Sequence, residues 1–258
     1  MEKITVKCPA KINLSLKVGK VRPDGFHPIE SVMQAISLYD YVTLSQKLGM
    51  GTIEINGTSD EIPYDERNIA YKAAHEFLQK TNLKLDINIY IEKNIPVCAG
   101  LAGGSTDAAG VLFALNKLNN EILSKEDMFK ICAKLGSDLN FCLIGSKQMC
   151  SGKGDDMRPL PFEDFSLSLI KPKKISISAK EAYAKFDELK IQSNMPNDLE
   201  FALLPHYTEL QHLHSLGYQM SGSGPTYFVP KHELKEKLGE DYMIIENLHA
   251  INHGICEK

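Results

Sequence analysis

The chain has 258 residues, with 29 lysines and arginines against 33 aspartates and glutamates, a formal net charge of -4. Hydrophobic residues make up 43% and charged residues 24%, which excludes a disordered chain and suffices for a sizeable core in one large or two ordinary domains. The mildly acidic total argues against a nucleic-acid coat. The six cysteines form no C-x-x-C pair and so give a zinc site no support. The start lacks an apolar leader, and no window approaches the ~20 apolar residues of a membrane span. The expectation is a protein with no nucleic-acid or membrane partner, in a reduced, cytoplasmic setting.

In chain order, Ile12, Leu14, Leu16 and Val18 alternate with Lys11, Asn13, Ser15 and Lys17, a period of two that predicts a strand with one apolar and one polar face. The turn Arg22-Pro23-Asp24-Gly25 ends it. Strands are predicted at 30–38, 41–48 and 52–56, a helix at 68–80, and a strand through Leu85, Ile87, Ile89 and Ile91. A small-residue loop at 99–106 feeds an apolar helix to about residue 118. Ser124 caps a helix over 125–135 that stops at Gly136. A short strand at 141–144 and a polar loop at 151–156 follow, and the domain boundary is placed there, giving domains 1–152 and 153–258. The remainder predicts a strand at 166–170, helices at 179–190 and within 197–216, a strand at 226–229, then a helix and a last strand. Strands and helices mix without a strict βαβ rhythm, so the class is α+β.

The most informative segment is Pro96-Val97-Cys98-Ala99-Gly100-Leu101-Ala102-Gly103-Gly104-Ser105-Thr106. A strand leads in, small residues turn, and a helix leads out. Small residues admit backbone N–H groups to a phosphate, and the helix N-terminus adds partial positive charge. No Gly-Lys-Ser/Thr follows, so the loop is not a Walker A; no G-x-G-x-x-G occurs, so it is not a dinucleotide fingerprint. Three further segments each have a plain structural explanation when taken singly. Lys11 and Asn13 share a polar strand face, Asp138 follows a helix stop, and Ser221-Gly222-Ser223-Gly224 turns into an apolar strand.

In that order the four segments resemble the GHMP kinase superfamily, from Lys7 to about Val229. Pro23-Asp24-Gly25-Phe26-His27 is similar to the branch that phosphorylates a cytidyl-diphosphate-linked alcohol. The resemblance implies a ribosomal-S5-domain-2-like N-terminal domain, a ferredoxin-like C-terminal domain and a cleft between them. It implies ATP with Mg²⁺, ATP phosphates on the loop of Gly100, Leu101, Ala102, Gly103, Gly104, Ser105 and Thr106, a further ATP contact at Pro96, and adenosine near Asn68 and Lys93. Ser105 is the implied protein contact for the metal. Asp138 corresponds to the catalytic acid, Lys11 to the lysine beside it, and Asn13 to a residue near the substrate hydroxyl. Phe26 and His27 correspond to positions that meet cytosine. Ser178 and Glu181 form a capping box that places Tyr183 on the second turn of a helix, where it would supply the second stacking face. Cys98, Ala99 and Ala102 stand where glycines are frequent, Asn140 where proline is common, and Phe26 where tyrosine is usual. Two other readings stay open: a GHMP kinase for homoserine or a mevalonate-type alcohol, and a non-catalytic nucleotide-binding module.

Overall fold

A computed structural model describes residues 2–189, 193–230, 234 and 238–258. Two long strands dominate, β1 (Glu2–Val18) and β2 (Ile29–Leu48), paired antiparallel along their length. β3 (Ile53–Gly57), α1 (Ile69–Thr81), β4 (Leu85–Glu92), α2 (Gly103–Leu118), α3 (Lys125–Leu135), α4 (Leu139–Ile144), β5 (Lys147–Gly152) and β6 (Asp156–Pro159) follow. Then come β7 (Ser166–Pro172), α5 (Ala179–Asp187), α6 (Asp198–Leu203), a 3-10 turn (Leu204–His206), α7 (Thr208–Ser215), β8 (Gln219–Met220), β9 (Tyr227–Pro230), β10 (Tyr242–His249) and β11 (Cys256–Glu257).

The first sheet runs β11-β1-β2-β4-β3, with the β5–β6 hairpin added along β2; the second runs β10-β7-β9-β8. Only the β3–β4 pairing is parallel among the described strands. The mixed, non-alternating order bears out the α+β expectation.

The β1–β2 hairpin belongs to both halves of the molecule. Its outer half buries Val6, Cys8, Val42 and Leu44 under α1 and α2, against Ala73, Phe77, Ala108 and Leu112. Its inner half buries Leu16, Ile29 and Met33 against Ile170, Leu203 and Tyr227 of the second unit. Ala10, Ile12 and Ile36 join Leu101 of the loop to Leu167, Leu169 and Phe228 of the second sheet. Burial on both faces of one hairpin, at roughly 25 cal/mol per Å² of apolar surface, holds the two sheets together.

Three expectations change. The strands expected at 30–38 and 41–48 are one strand, because the register passes from Pro9 opposite Tyr39 to Ala10 opposite Ile36. The extra residues Ser37 and Leu38 are absorbed as a bulge that bends the strand without ending it. The strand expected at 141–144 is helix α4: a short apolar run is ambiguous by periodicity, and here Leu139, Asn140, Phe141 and Cys142 are buried in succession. The loop expected at 151–156 shrinks to the turn between β5 and β6, so this hairpin straddles residues 152 and 153. α5 ends at Asp187, and residue 190 of the expected 179–190 helix lies outside the described residues. So does most of the helix expected before the last strand.

Candidate active site

Lys11 and Asn13 are buried, 4% and 2% exposed, so their strand face is a cleft wall rather than a solvated edge. The Lys11 ammonium donates to Asn13 Oδ1 at 2.6 Å and to the Gly100 carbonyl at 3.1 Å, and stands 3.7 Å from Asp138 Oδ2. Asn13 Nδ2 donates to Ser31 Oγ at 2.7 Å, and the Asn13 amide donates to Ser221 Oγ at 3.2 Å. The Ser221 hydroxyl in turn donates to the Gly100 carbonyl at 3.1 Å. Strand, loop and late turn therefore meet around one ammonium group.

The loop turns through left-handed backbone at Cys98, Gly100 and Ala102. Gly100 has φ +73°, and a Cβ there would sit 2.2 Å from the Ser221 carbonyl, so only glycine fits. α2 starts at Gly103, and its first residues, Gly103, Gly104 and Ser105, line the cleft, where a helix N-terminus favours an anion. Residues from Pro96 to Ser105 line a cavity of about 900 Å³ together with Lys11, Asn13, Lys93, Asp138 and Tyr183. Thr106 is fully buried, its amide donates to the Ala102 carbonyl at 2.9 Å, and it is not part of that lining.

Asp138 precedes α4 with its side chain 30% exposed and no capping bond of its own, and it lines the cleft with Oδ2 beside Lys11. Asn68 is not brought to the lining. It caps α1, accepting from the Ala70 amide at 2.9 Å and donating to the Pro63 carbonyl at 2.7 Å, and its neighbour Ile69 reaches the cleft instead. Lys93 lines the cleft from beneath the loop, in a buried ion pair with Asp40 and, at 2.9 Å, with Asp107. Burial opposes the Lys93 charge, but the two carboxylates outweigh it and raise its pKa. Asp40 also accepts the amides of Asn94 and Ile95 at 2.6 and 2.8 Å, which fixes the start of the loop.

The far end of the cleft is aromatic. Tyr183 stacks with His27, and Phe186 meets the same imidazole edge-on. Phe26 is 51% exposed, with the Lys153 ammonium 4.0 Å from its ring centre. The expected arrangement put Phe26 and Tyr183 as opposed stacking faces; the ring resting on Tyr183 is that of His27. Burial first, then the Asp138 charge, pushes the Tyr183 hydroxyl up to about 12, so the ring lies within electrostatic reach of the acid.

The model for the GHMP kinases N terminal domain matches residues 68–146, a span holding the loop and Asp138 but neither Lys11 nor the aromatic end. A 4-diphosphocytidyl-2-C-methyl-D-erythritol kinase of Clostridium tetani is 42% identical, over 86% of this chain and 89% of its own. The chain belongs to that family of GHMP kinases. It is thus a small-molecule phosphotransferase. A crystal structure of 4-(cytidine 5'-diphospho)-2C-methyl-D-erythritol kinase superposes with TM-score 0.74 at 26% identity, covering 89% of this chain and 92% of that one. Homoserine kinase from Cytophaga hutchinsonii reaches the same TM-score, 0.74, at 16% identity over 100% and 98% of the two chains, which shows the shared fold alone. No helix among the described residues is long and apolar enough to cross a membrane.

Sequence reasoning missed Asp40 and Asp107, both buried at the root of the loop, and Lys153, Lys180 and Asp187, which line the cleft. Asp107 had a usable signal, an acid on the first turn of a helix that continues Ala108-Ala109-Gly110-Val111. Lys153, Lys180 and Asp187 sit in polar surroundings with no pattern to mark them, and Asp40 sits mid-strand between two tyrosines.

Proposed function

We propose that the chain transfers the γ-phosphoryl group of ATP to the 2-hydroxyl of 4-diphosphocytidyl-2-C-methyl-D-erythritol, a step toward isoprenoid precursors. One observation carries this reading: a single cleft joins the small-residue loop, the Lys11–Asp138 pair and the His27–Tyr183 stack. A smaller alcohol such as homoserine has no use for the aromatic end.

The loop fits ATP phosphates. At Gly104 a Cβ would meet nothing closer than Ile69 at 3.8 Å, so that space is open to a ligand. Among the described residues no three His, Cys, Asp or Glu side chains converge on a metal position. Mg²⁺ typically keeps several waters and binds substrate phosphates with one or two protein ligands, a demand the Ser105 hydroxyl at the cleft can meet. When bound, it would neutralise phosphate charge.

Asp138 accepts the proton of the attacking hydroxyl as the new O–P bond forms and the bond to the departing ADP oxygen breaks. Lys11 places positive charge beside that centre, and Asn13 orients it. Phosphoryl transfer needs chiefly positioning and charge stabilisation, which these groups supply. The aromatic end, with Phe26, His27 and Tyr183, receives the cytosine. The hairpin-linked halves, nominally 1–152 and 153–258, form the two walls. A phosphorylation assay with ATP and Mg²⁺ against the cytidyl substrate, homoserine and mevalonate tests this. Turnover confined to the cytidyl substrate is the expected result, and preference for either simple alcohol refutes it.

A further inference from the structure

The segment just before and within the first turn of α6 is bonded to both β1 and the late turn, which no pattern in it announces. The Pro196 carbonyl accepts the Leu16 amide at 2.8 Å. Asp198 accepts the Val18 amide at 2.9 Å and pairs with Lys17 at 3.1 Å. Glu200, buried, accepts the Met220 amide at 3.1 Å. Between them Asn197 is completely buried, and its amide group is fully used in two directions. Its oxygen accepts the Leu199 and Glu200 amides at 3.0 and 3.3 Å and caps α6. Its nitrogen donates to the Met220 and Gly222 carbonyls, both at 2.9 Å, on either side of Ser221.

Those two carbonyls bracket the residue that ties the late turn to the reaction centre. Ser221 Oγ accepts the Asn13 amide and donates to the Gly100 carbonyl, the same carbonyl that receives Lys11. Gly222 is packed so closely that a Cβ on it would lie 3.0 Å from Asn13 Oδ1 and 3.1 Å from Lys11 Nζ. The turn is therefore one wall of the Lys11 cage. We infer that Asn197 is a positioning residue for phosphoryl transfer, fixing the 221–224 turn so that Lys11 and Asn13 stay aligned with Asp138.

The inference rests on the proposed role of Lys11 and Asp138, and the two can fail separately. Wild-type turnover of the cytidyl substrate tests that role; the ratio of variant to wild type tests Asn197. Asn197→Ser keeps an oxygen able to cap α6 and removes both donated bonds. Leu203→Ala, at the buried C-terminal end of α6, lowers melting temperature while leaving the Asn197 bonds to the turn in place. The expected result is a fall in kcat for Asn197→Ser on the order of 10²-fold, as for a small misplacement of reacting groups, with Leu203→Ala near wild type per folded molecule. If Asn197→Ser does not fold, Ser221→Ala decides, because it cuts the same tie one residue along; there kcat is again expected to fall. Wild-type kcat in folded Asn197→Ser, an equal kcat loss in Leu203→Ala, or wild-type kcat in Ser221→Ala would each overturn the inference.

Discussion

The His27 imidazole lies against the Tyr183 ring, centroids 5.3 Å apart and planes 26° from parallel. Both imidazole nitrogens are engaged, Nδ1 with the Gly19 carbonyl at 2.8 Å and Nε2 with Asp187 Oδ1 at 3.3 Å. A carbonyl oxygen can only accept, so Nδ1 carries a proton, and Nε2 lies beside the Asp187 carboxylate. A cytosine stacking at this end meets a wall already braced from three sides. Removing Tyr183 forfeits a stacking surface worth ~1–3 kcal/mol, roughly a 5- to 150-fold rise in KM for the cytidyl substrate. Tyr183→Ala is expected to show that rise with KM for ATP unchanged, and Tyr183→Phe to behave as wild type. Steady-state kinetics with each substrate varied in turn measures both.

Asp138 makes no capping bond and is partly exposed, so it adds little to stability. Asp138→Asn is expected to keep the wild-type melting temperature and lose ~10²–10⁴-fold in kcat, the usual worth of general base assistance. Thermal unfolding and kcat on one preparation separate this from a turn residue, whose loss would lower stability and leave activity per folded molecule intact.

Gly103 and Gly104 give a paired test of the loop. A Cβ on Gly103 would sit 2.8 Å from Lys93 Nζ and 3.1 Å from Ile95, whereas one on Gly104 meets only Ile69 at 3.8 Å. Gly103→Val is expected to weaken ATP binding and lower melting temperature together. Gly104→Val is expected to weaken ATP binding alone. Titration calorimetry with a non-hydrolysable ATP analogue reads the affinity; unaltered affinity in Gly104→Val would place the phosphates elsewhere.

Asp107 is buried beside Asp40, and burial lifts its carboxyl well above the ordinary value of 3.8 despite Lys93. An acid that holds its proton more tightly when folded stabilises the fold less as pH rises, because the unfolded chain releases that proton first. The loss begins above 3.8 and continues until the raised folded value is passed. Asp107→Asn cannot ionise. Its stability relative to wild type is therefore expected to improve with pH from about 4 upward, read from denaturant unfolding at a series of pH values. A difference independent of pH would mean that Asp107 is already charged throughout.

The sequence made the loop, the Lys11 strand and the Ser124 cap legible because each rests on local chemistry: small residues, a period of two, a side-chain oxygen before a helix. α4 was not legible, since Leu139–Ile144 is six residues long and its helical state is set by burial against α2 and β1 rather than by its own pattern. Asp40 was hidden for a similar reason. It sits mid-strand among tyrosines, and its partners, Lys93 to Ile95, are more than fifty positions away. Phe26, His27 and Tyr183 were named from the sequence, but the contact of His27 with Tyr183 was not, because it depends on how the 19–28 segment folds back over α5.

β11 pairs with β1 at Val6 and Lys7, and the Lys258 amide donates to the Thr5 carbonyl. The stretch of the first sheet's outer edge at Thr5, Val6 and Lys7 is thus covered by residues made some 250 positions later. During synthesis β1 stays an open edge, a template for wrong pairing, until nearly everything between has emerged. Such late, long-range closure is slow to form. Trimming the final residues would leave the cleft's chemistry in place while exposing that edge, and the damage would appear as aggregation during expression rather than as altered turnover.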